Sequence, residues 1–367
     1  MSESVDYIIV DDAIILPPSE DENGRLQNAS GVFDRNGRPV EIAVSLTHGR
    51  PRHAPVEYSA PEAPEFIPGT HVFGGIFFGH FGHFITESTG RLWALDDPAF
   101  GTRSALYIPK AGPVNDAAIK AQTALLAALG ISAEIRVAKG PTRVERLVVP
   151  RQEFGLGPDL ISGSGRFVAF ARSAAEKVAP AGAEKLYISR RDLPFDRGTI
   201  LGETLVEALL EREGYRIWLP HRCSKEEQVA QYRAARQIIS VDASPLHLLA
   251  YVAQPHQQIA IIKRRSMNAV DDIVQHLESF GGSQVTVIDR LVANHVHARL
   301  PRIGRSSWGE VDLGQVGQEL KALGLIEDTS GWRNLTEDEI AAQIAVIEAG
   351  MNAKYVRKPV PEPAPAD

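Results

Sequence analysis

Residues 236–263, RQIISVDASPLHLLAYVAQPHQQIAIIK, decide the fold. QIISV (237–241) is an apolar, largely β-branched run that reads as a buried strand. Ser244 to Ala253 reads as a short apolar helix, with Pro245 at its first helical position. QIAIIK (258–263) is a second buried strand. A strand, a helix and a strand in so short a run is the signature of a parallel sheet with crossover helices.

The pattern extends both ways from this unit. Upstream, LYIS (186–189) reads as a strand, Ile200 to Glu213 as a helix stopped by Gly214, and RIWLP (216–220) as a strand. Ser224 and Glu227 make a capping box that opens a helix to about Arg236. Downstream, a helix at 269–280 and a strand VTVID (285–289) complete the series. The N-terminal half is less regular. Residues 7–16 form a strand, and 17–65 are rich in Gly, Pro, Asn and charge. The glycine-rich FGGIFFGHFGHF (73–84) leads into a helix of roughly 83–96. ALYIP (105–109) is a strand, 114–129 a helix, and two short strands fall within 133–150. After Arg305 come a helix near 314–323 and a longer one capped by Thr336 and Glu339.

This predicts an α/β protein of two Rossmann-like domains, with parallel sheets facing a cleft and ligands at the carboxyl ends of the strands. The expected bounds are 1–180 for the N-terminal domain and 181–330 for the C-terminal domain, with a C-terminal helix at 331–355. Ala-Pro-Ala-Gly (179–182) is the expected linker, and the proline-rich 356–367 an expected disordered tail.

Composition narrows the function. With 44% hydrophobic and 23% charged residues, the chain has globular usage. Its net charge of −7 disfavours nucleic acid and anionic membrane as partners. The single cysteine, Cys223, excludes an intrachain disulfide and a Cys-based zinc site. The first ten residues do not read as a secretion signal, and no apolar run approaches the ~20 residues of a membrane span. A cytoplasmic protein is expected, or one peripheral at the inner face of the membrane.

Two constellations carry chemistry. On a helix, His83, Glu87 and Arg91 fall at i, i+4 and i+8 and share one side, beside the apolar stripe of Phe84, Ser88, Leu92 and Leu95. A carboxylate beside an imidazole is a candidate general base toward a hydroxyl. By spacing alone, an ordinary intrahelical Glu–Arg pair is the commoner reading. His80, His83 and Glu87 match no zinc-helix spacing, and the glycine run lacks the Gly-Lys-Ser/Thr ending of a phosphate loop.

The second constellation follows LYIS, where Arg190, Arg191 and Arg197 lie in the loop after Ser189. Guanidiniums at the carboxyl end of a parallel strand suit a diphosphate, because their forks pair phosphate oxygens bidentately. A solvated loop balanced by Asp192 and Asp196 is an equal reading. The turn VDASPLH (241–247) puts a helix start beside it, an anion site by geometry and dipole. There Ser244 is a natural cap, and His247 reads on residue type as a core histidine. In Lys263-Arg264-Arg265, a basic cluster could hold a phosphate.

Together these segments resemble glycosyltransferase family 61, a group of inverting sugar transferases of two-Rossmann (GT-B) architecture. HFITESTGRLW (83–93) is similar to the family's His-aromatic-x-x-acid and Arg-Leu-Trp helix, and YISRRD (187–192) to its Ser-Arg-Arg strand end. The third block runs from Cys223-Ser224 through Glu227-Gln228 and Ala234-Ala235 to the Ile238-Ile239-Ser240 strand and the Ser244-Pro245-Leu246-His247 turn. One departure is Asp242-Ala243, where many members carry a His-Gly or acid-Gly pair.

The resemblance implies a transfer from a nucleotide-sugar donor to a hydroxyl of a glycan or glycolipid acceptor. Glu87 takes the place of the catalytic base, with His83 beside it and Arg91 in support. Ser189, Arg190 and Arg191, with Arg197, take the donor diphosphate. Asp242, Ser244, Leu246 and His247 close over the nucleotide, supported by Glu227, Gln228 and Lys263. No metal or other cofactor is expected, since protein cations can neutralise the leaving group. Two other readings stay open: an NAD(P)-dependent oxidoreductase, against which the missing glycine fingerprint counts, and a non-catalytic protein that binds a nucleotide sugar or carbohydrate.

Overall fold

A computed structural model describes residues 5–20, 25–27, 29–112 and 114–360. Its contacts divide the chain into two compact units, Met1–Ala179 and Pro180–Asp367.

The second unit carries five parallel strands. Numbered after the first-unit strands named below, they are β9 (Lys185–Ile188), β10 (Arg216–Trp218), β11 (Gln237–Val241), β12 (Gln258–Ile262) and β13 (Gln284–Ile288). Their order in the sheet is β10-β9-β11-β12-β13. The chain steps outward from β9 to β10 and then returns to the other side of β9. The strand order therefore reverses between β9 and β11, the place where open α/β sheets bind ligands. On one face Tyr187, Ile239, Val241, Ala260 and Ile262 join a core with Leu209 and Leu320. The alternate residues Leu186, Ile188, Ile238, Ile259 and Ile261 are buried as well. Burial on both faces explains the unbroken apolar runs in the sequence.

The helices α3 (Glu203–Arg212), α4 (Lys225–Ala234), α5 (Pro245–Val252) and α6 (Ala269–Gly281) connect these strands. Gly214, at φ +83°, ends α3 as its C′ residue, and Tyr215 N returns to Leu210 O. Ser224 and Glu227 form both halves of the capping box of α4. Ser244, by contrast, makes no side-chain cap to α5. Its own φ/ψ of −57°/−29° is already helical, whereas a capping hydroxyl needs an extended backbone.

The first unit departs further from expectation. Its six-stranded sheet has the order β2-β1-β8-β5-β6-β7, with β1 (Tyr7–Leu16), β2 (Gly31–Phe33), β5 (Glu65–Phe77), β6 (Ser104–Pro109), β7 (Glu134–Val137) and β8 (Thr142–Pro150). Four strands are parallel, but β1 runs antiparallel to both β8 and β2. The sheet is thus mixed rather than parallel throughout, because the segment after β1 brings no crossover helix to reverse it. A separate hairpin pairs β3 (Leu46–Thr47) with β4 (Arg50–Pro51), inside the stretch that reads as irregular in the sequence. The helices are α1 (Asp116–Ala128) and α2 (Gly165–Glu176).

Three further expectations are corrected. Gly74 and Gly75 are not part of the entry to a helix; they lie inside β5. Gly74 leaves room for the Tyr107 ring, which a Cβ would meet at 2.3 Å. At φ +92°, Gly75 sits where the register against β6 shifts. The helix expected over 83–96 is broken into a turn at Phe81–His83, a π-turn at Phe84–Ser88 and a 3-10 segment at Leu92–Asp96. Gly90 lies in that break, against a backbone carbonyl: a Cβ there would meet Phe154 O at 2.0 Å.

The third correction concerns the C-terminal region. Beyond β13, β14 (Leu291–His297) pairs antiparallel with β15 (Trp308–Val311) and with β16 (Tyr355–Pro359). Between them run α7 (Leu313–Ala322) and α8 (Glu337–Met351), the latter opened by the Thr336/Glu339 box. Residues 356–359 of the expected disordered tail are therefore strand, because β14 offers an edge whose register Tyr355–Pro359 fills. Residues 361–367 lie outside the described residues. No helix among the described residues is long and apolar enough to cross a membrane.

Candidate active site

The first candidate site stands at the end of β5. Ser88 Oγ donates to Ile76 O at 2.7 Å and accepts from Phe78 N at 3.2 Å. Tyr107 OH donates to Ser88 O at 2.9 Å. These bonds lash the π-turn to β5 and β6. Such turns recur at functional sites. The turn presents Glu87, whose side chain is 3% exposed, beside His83, whose side chain is 48% exposed. Nδ1 of His83 lies 2.6 Å from Oε1 of Glu87. The other oxygen, Oε2, accepts from Thr47 Oγ1 at 2.5 Å and has Arg52 Nε at 3.8 Å.

Burial pushes the Glu87 carboxyl up, but the bonds from His83 and Thr47, aided by the charge of Arg52, outweigh it. The group is held below its ordinary range. An ionised carboxylate only accepts, so the proton in the 2.6 Å contact belongs to His83 Nδ1. In a neutral ring that tautomer leaves the lone pair on Nε2. Phe78 stacks on the imidazole with centroids 5.4 Å apart, and Arg52 covers the same phenyl ring.

Arg91 does not join this pair. The broken helix turns it inward, where it is 1% exposed and donates to Pro150 O and, at 2.9 Å, to Val44 O. Burial pushes its guanidinium down to about 9. It ties the end of β8 to the approach of the β3–β4 hairpin. Thr47 and Arg52, on that hairpin and just beyond it, are the residues that sequence reasoning missed. The available signal was Thr47-His48-Gly49-Arg50, a two-residue turn with His48 at φ +49° and Gly49 at φ +70°.

The second candidate site lies where the strand order reverses, with Ser189–Arg191 after β9 and Asp242–Ser244 after β11. Ser189 is buried; its hydroxyl donates to Glu207 Oε1 at 2.6 Å and accepts from Arg191 N at 2.9 Å. Arg191 Nε donates to Glu207 Oε2 at 2.5 Å. Both are thus engaged by one glutamate of α3. Arg190 donates from Nε to Gly198 O and from Nη2 to Arg197 O, and its backbone N–H is taken by Glu203. Burial raises the Glu203 carboxyl, which favours its neutral form. Glu203 and Glu207 fall at i, i+4 on the buried face of α3, among Val206, Leu209 and Leu210, a spacing visible in the sequence.

Asp242 is 2% exposed and takes the arginines after β12: Arg264 Nε at 3.1 Å and Arg265 Nε at 3.3 Å. Nε of Arg265 has no hydrogen-bond partner among the described residues. Burial pushes Arg264 down to about 9. Charges of Arg197, Arg265 and Asp242 all act on Arg190, so these groups form one cluster at the strand ends. Lys263 turns elsewhere and pairs with Asp289 at 2.6 Å. Ser244 is exposed at the mouth of the turn, whereas Leu246 is fully buried. His247 is buried with Nδ1 3.1 Å from Nδ1 of His276. Glu227 serves the capping box, and Gln228 donates to Pro220 O and Cys223 O. The structure thus gathers Arg190, Arg197 and Asp242 with Arg264 and Arg265, leaves Ser244 exposed, and engages Ser189, Arg191, Glu227, Gln228, His247 and Lys263 elsewhere. Among the described residues, no group of three or more His, Cys, Asp or Glu side chains could hold a metal ion.

His83 and Glu87 of the first site, and Ser189–Arg197 and Asp242–His247 of the second, fall within one recognisable span. Residues 81–260, just under half of the chain, match the family model described as Glycosyltransferase 61. The resemblance carried by the three sequence blocks is shown over that span, and it supports a glycosyltransferase. The mixed α/β architecture with parallel strands is consistent with a Rossmann-like fold of that class. No curated protein matches the chain.

Proposed function

We propose that the chain is an inverting glycosyltransferase that moves a sugar from a nucleotide-sugar donor to a hydroxyl of a glycan or glycolipid acceptor, in polysaccharide biosynthesis. The observation that carries the reading is the His83–Glu87 pair: a buried carboxylate holding an exposed imidazole by Nδ1 at 2.6 Å. Both oxygens of Glu87 are already engaged, so His83 Nε2 is the atom offered to an acceptor. The role expected of Glu87 thereby divides. His83 takes the proton, and Glu87 fixes its tautomer and stabilises the imidazolium that forms.

In the reaction, the acceptor oxygen attacks the anomeric carbon as its proton passes to His83 Nε2. The bond from that carbon to the diphosphate breaks, and its electron pair leaves with the diphosphate. A single displacement inverts the configuration. Negative charge grows on the leaving group, and in many enzymes cations preorganised at such a point supply most of the rate enhancement. Arg190, Arg197, Arg264 and Arg265 are assigned that task, so the reaction as proposed asks for no metal. The base comes from the first unit and the donor site from the second, the division of the GT-B type.

The test is a panel of uridine, guanosine and cytidine diphosphate sugars, read first by thermal shift. A ligand at 100 times its Kd stabilises by ~2.7 kcal/mol. The product of the sugar that binds is then examined by proton NMR. Inverted anomeric configuration is expected. A retained configuration, or no shift across the panel, would overturn the proposal.

A further inference from the structure

The first unit holds a cavity of about 780 Å³ that no part of the proposed reaction uses. Small-molecule sites span ~300–1,000 Å³, so this space is large enough for a ligand. Its walls are mainly aliphatic, among them Val32, Val40, Ile42, Leu46, Ile76 and Ile108. Glu41, Ser45 and Tyr58 add polar atoms to the wall, but the other large polar side chains there are closed on the protein itself. Gln152 accepts from Leu46 N at 2.8 Å and donates to Leu46 O at 2.9 Å. His53 bonds Ser30 Oγ through Nδ1 and Lys110 O, at 2.9 Å, through Nε2. Arg91 is spent on Val44 O and Pro150 O. A sugar ring brought here would bury hydroxyls with few partners, each at the full cost of its lost hydration. An alkyl chain would bury none.

The cavity and the dyad share one element. In the β3–β4 hairpin, Leu46 pairs with Pro51, and both line the cavity. Successive residues of a strand point to opposite faces, and Thr47, the next residue, bonds Glu87. Past Pro51 the alternation continues: Arg52 stands at Glu87, and His53 lines the cavity again. One hairpin therefore lines an apolar cavity with one face and clamps the Glu87 carboxylate with the other.

We infer that this cavity binds an aliphatic chain belonging to the acceptor, so that the substrate is a lipid-linked sugar whose hydroxyl is presented to His83. The inference rests on the reading of His83–Glu87 as the base and specifies the acceptor for it.

The experiment uses the full chain and n-alkyl β-glucosides from hexyl to dodecyl, each below its micelle concentration, with glucose as the control. Binding is measured by calorimetry. Affinity is expected to rise about fourfold per added methylene until the cavity is full. Ile42→Trp is expected to abolish that rise, and Val56→Trp, at a second half-buried wall position, repeats the test should the first variant not fold. In His83→Ala the chain-length rise is expected unchanged while transfer is lost, so the cavity and the base fail separately. Glucose binding as tightly as dodecyl glucoside, or affinity flat across the series, would overturn the inference. So would chain-dependent binding in the wild type with transfer to the alkyl glucosides no faster than to glucose.

Discussion

Glu87 and His83 are joined at 2.6 Å across the two ends of accessibility: the carboxylate is buried and the imidazole faces outward. The pair stands on a π-turn, and the second carboxylate oxygen is held by Thr47, forty residues earlier in the chain. A hydrogen-bonded buried anion is well placed to orient a base and poorly placed to meet a substrate.

Thr47→Val tests the clamp. It removes one of the two hydrogen bonds that hold the Glu87 carboxyl down against the effect of burial. The pKa of that carboxyl, followed by NMR of carbon-13-labelled glutamate, is expected to rise. An unmoved titration would mean that Thr47 contributes nothing to the carboxylate.

Stability should follow pH in a defined sense. Glu87 has a folded-state pKa below its ordinary value, so it contributes stability that is present above the normal glutamate range, near 4.5, and is lost as pH falls through the folded value. In Glu87→Gln, denaturant midpoints recorded from neutral to acid pH are expected to fall less steeply than in the wild type. Parallel curves would contradict the assignment.

The arginines divide by what they touch. Arg191 is engaged by Glu207, so Arg191→Ala is expected to lower the melting temperature and leave nucleoside diphosphate binding nearly unchanged. Arg265→Ala removes a cation that stands 3.3 Å from Asp242 in the strand-end cluster assigned to the leaving diphosphate. Loss of a charged hydrogen bond costs ~1.5–3 kcal/mol, so binding should weaken by about 10- to 150-fold. Calorimetry with uridine and guanosine diphosphates reads both. Equal losses in the two variants would dissolve the distinction.

Gly90→Ala tests the broken helix. The new Cβ would meet the carbonyl oxygen of Phe154 at 2.0 Å, and backbone cannot swing aside as a side chain can. Overpacking of this kind costs ~1–3 kcal/mol. Chemical denaturation should show the loss, and a wild-type midpoint would refute the packing described for this turn.

The second unit was largely legible because its strands are buried on both faces and its caps are local. QIISV and the Ser224/Glu227 box each depend on residues within a few positions of one another. The first unit hid its features in long-range contacts. Thr47 meets Glu87 across forty residues, and Gly74 exists for the ring of Tyr107. Helical spacing brought His83 and Glu87 together correctly, yet the same spacing mispositioned Arg91. Residues one turn apart survive a local change of winding, whereas those two turns apart do not. At the strand ends, residue type picked out a basic turn. Only partners distant in sequence, Glu207 at Arg191 and Asp242 at Arg264 and Arg265, decide how each guanidinium is held.

The central claim is tested most directly by turnover and donor binding measured side by side in His83→Ala and Glu87→Gln, with the nucleotide sugar identified by thermal shift. Donor affinity is expected to stay within a few-fold of the wild type in both variants, while transfer falls by ~10²–10⁴-fold. Transfer at the wild-type rate in His83→Ala would contradict the account.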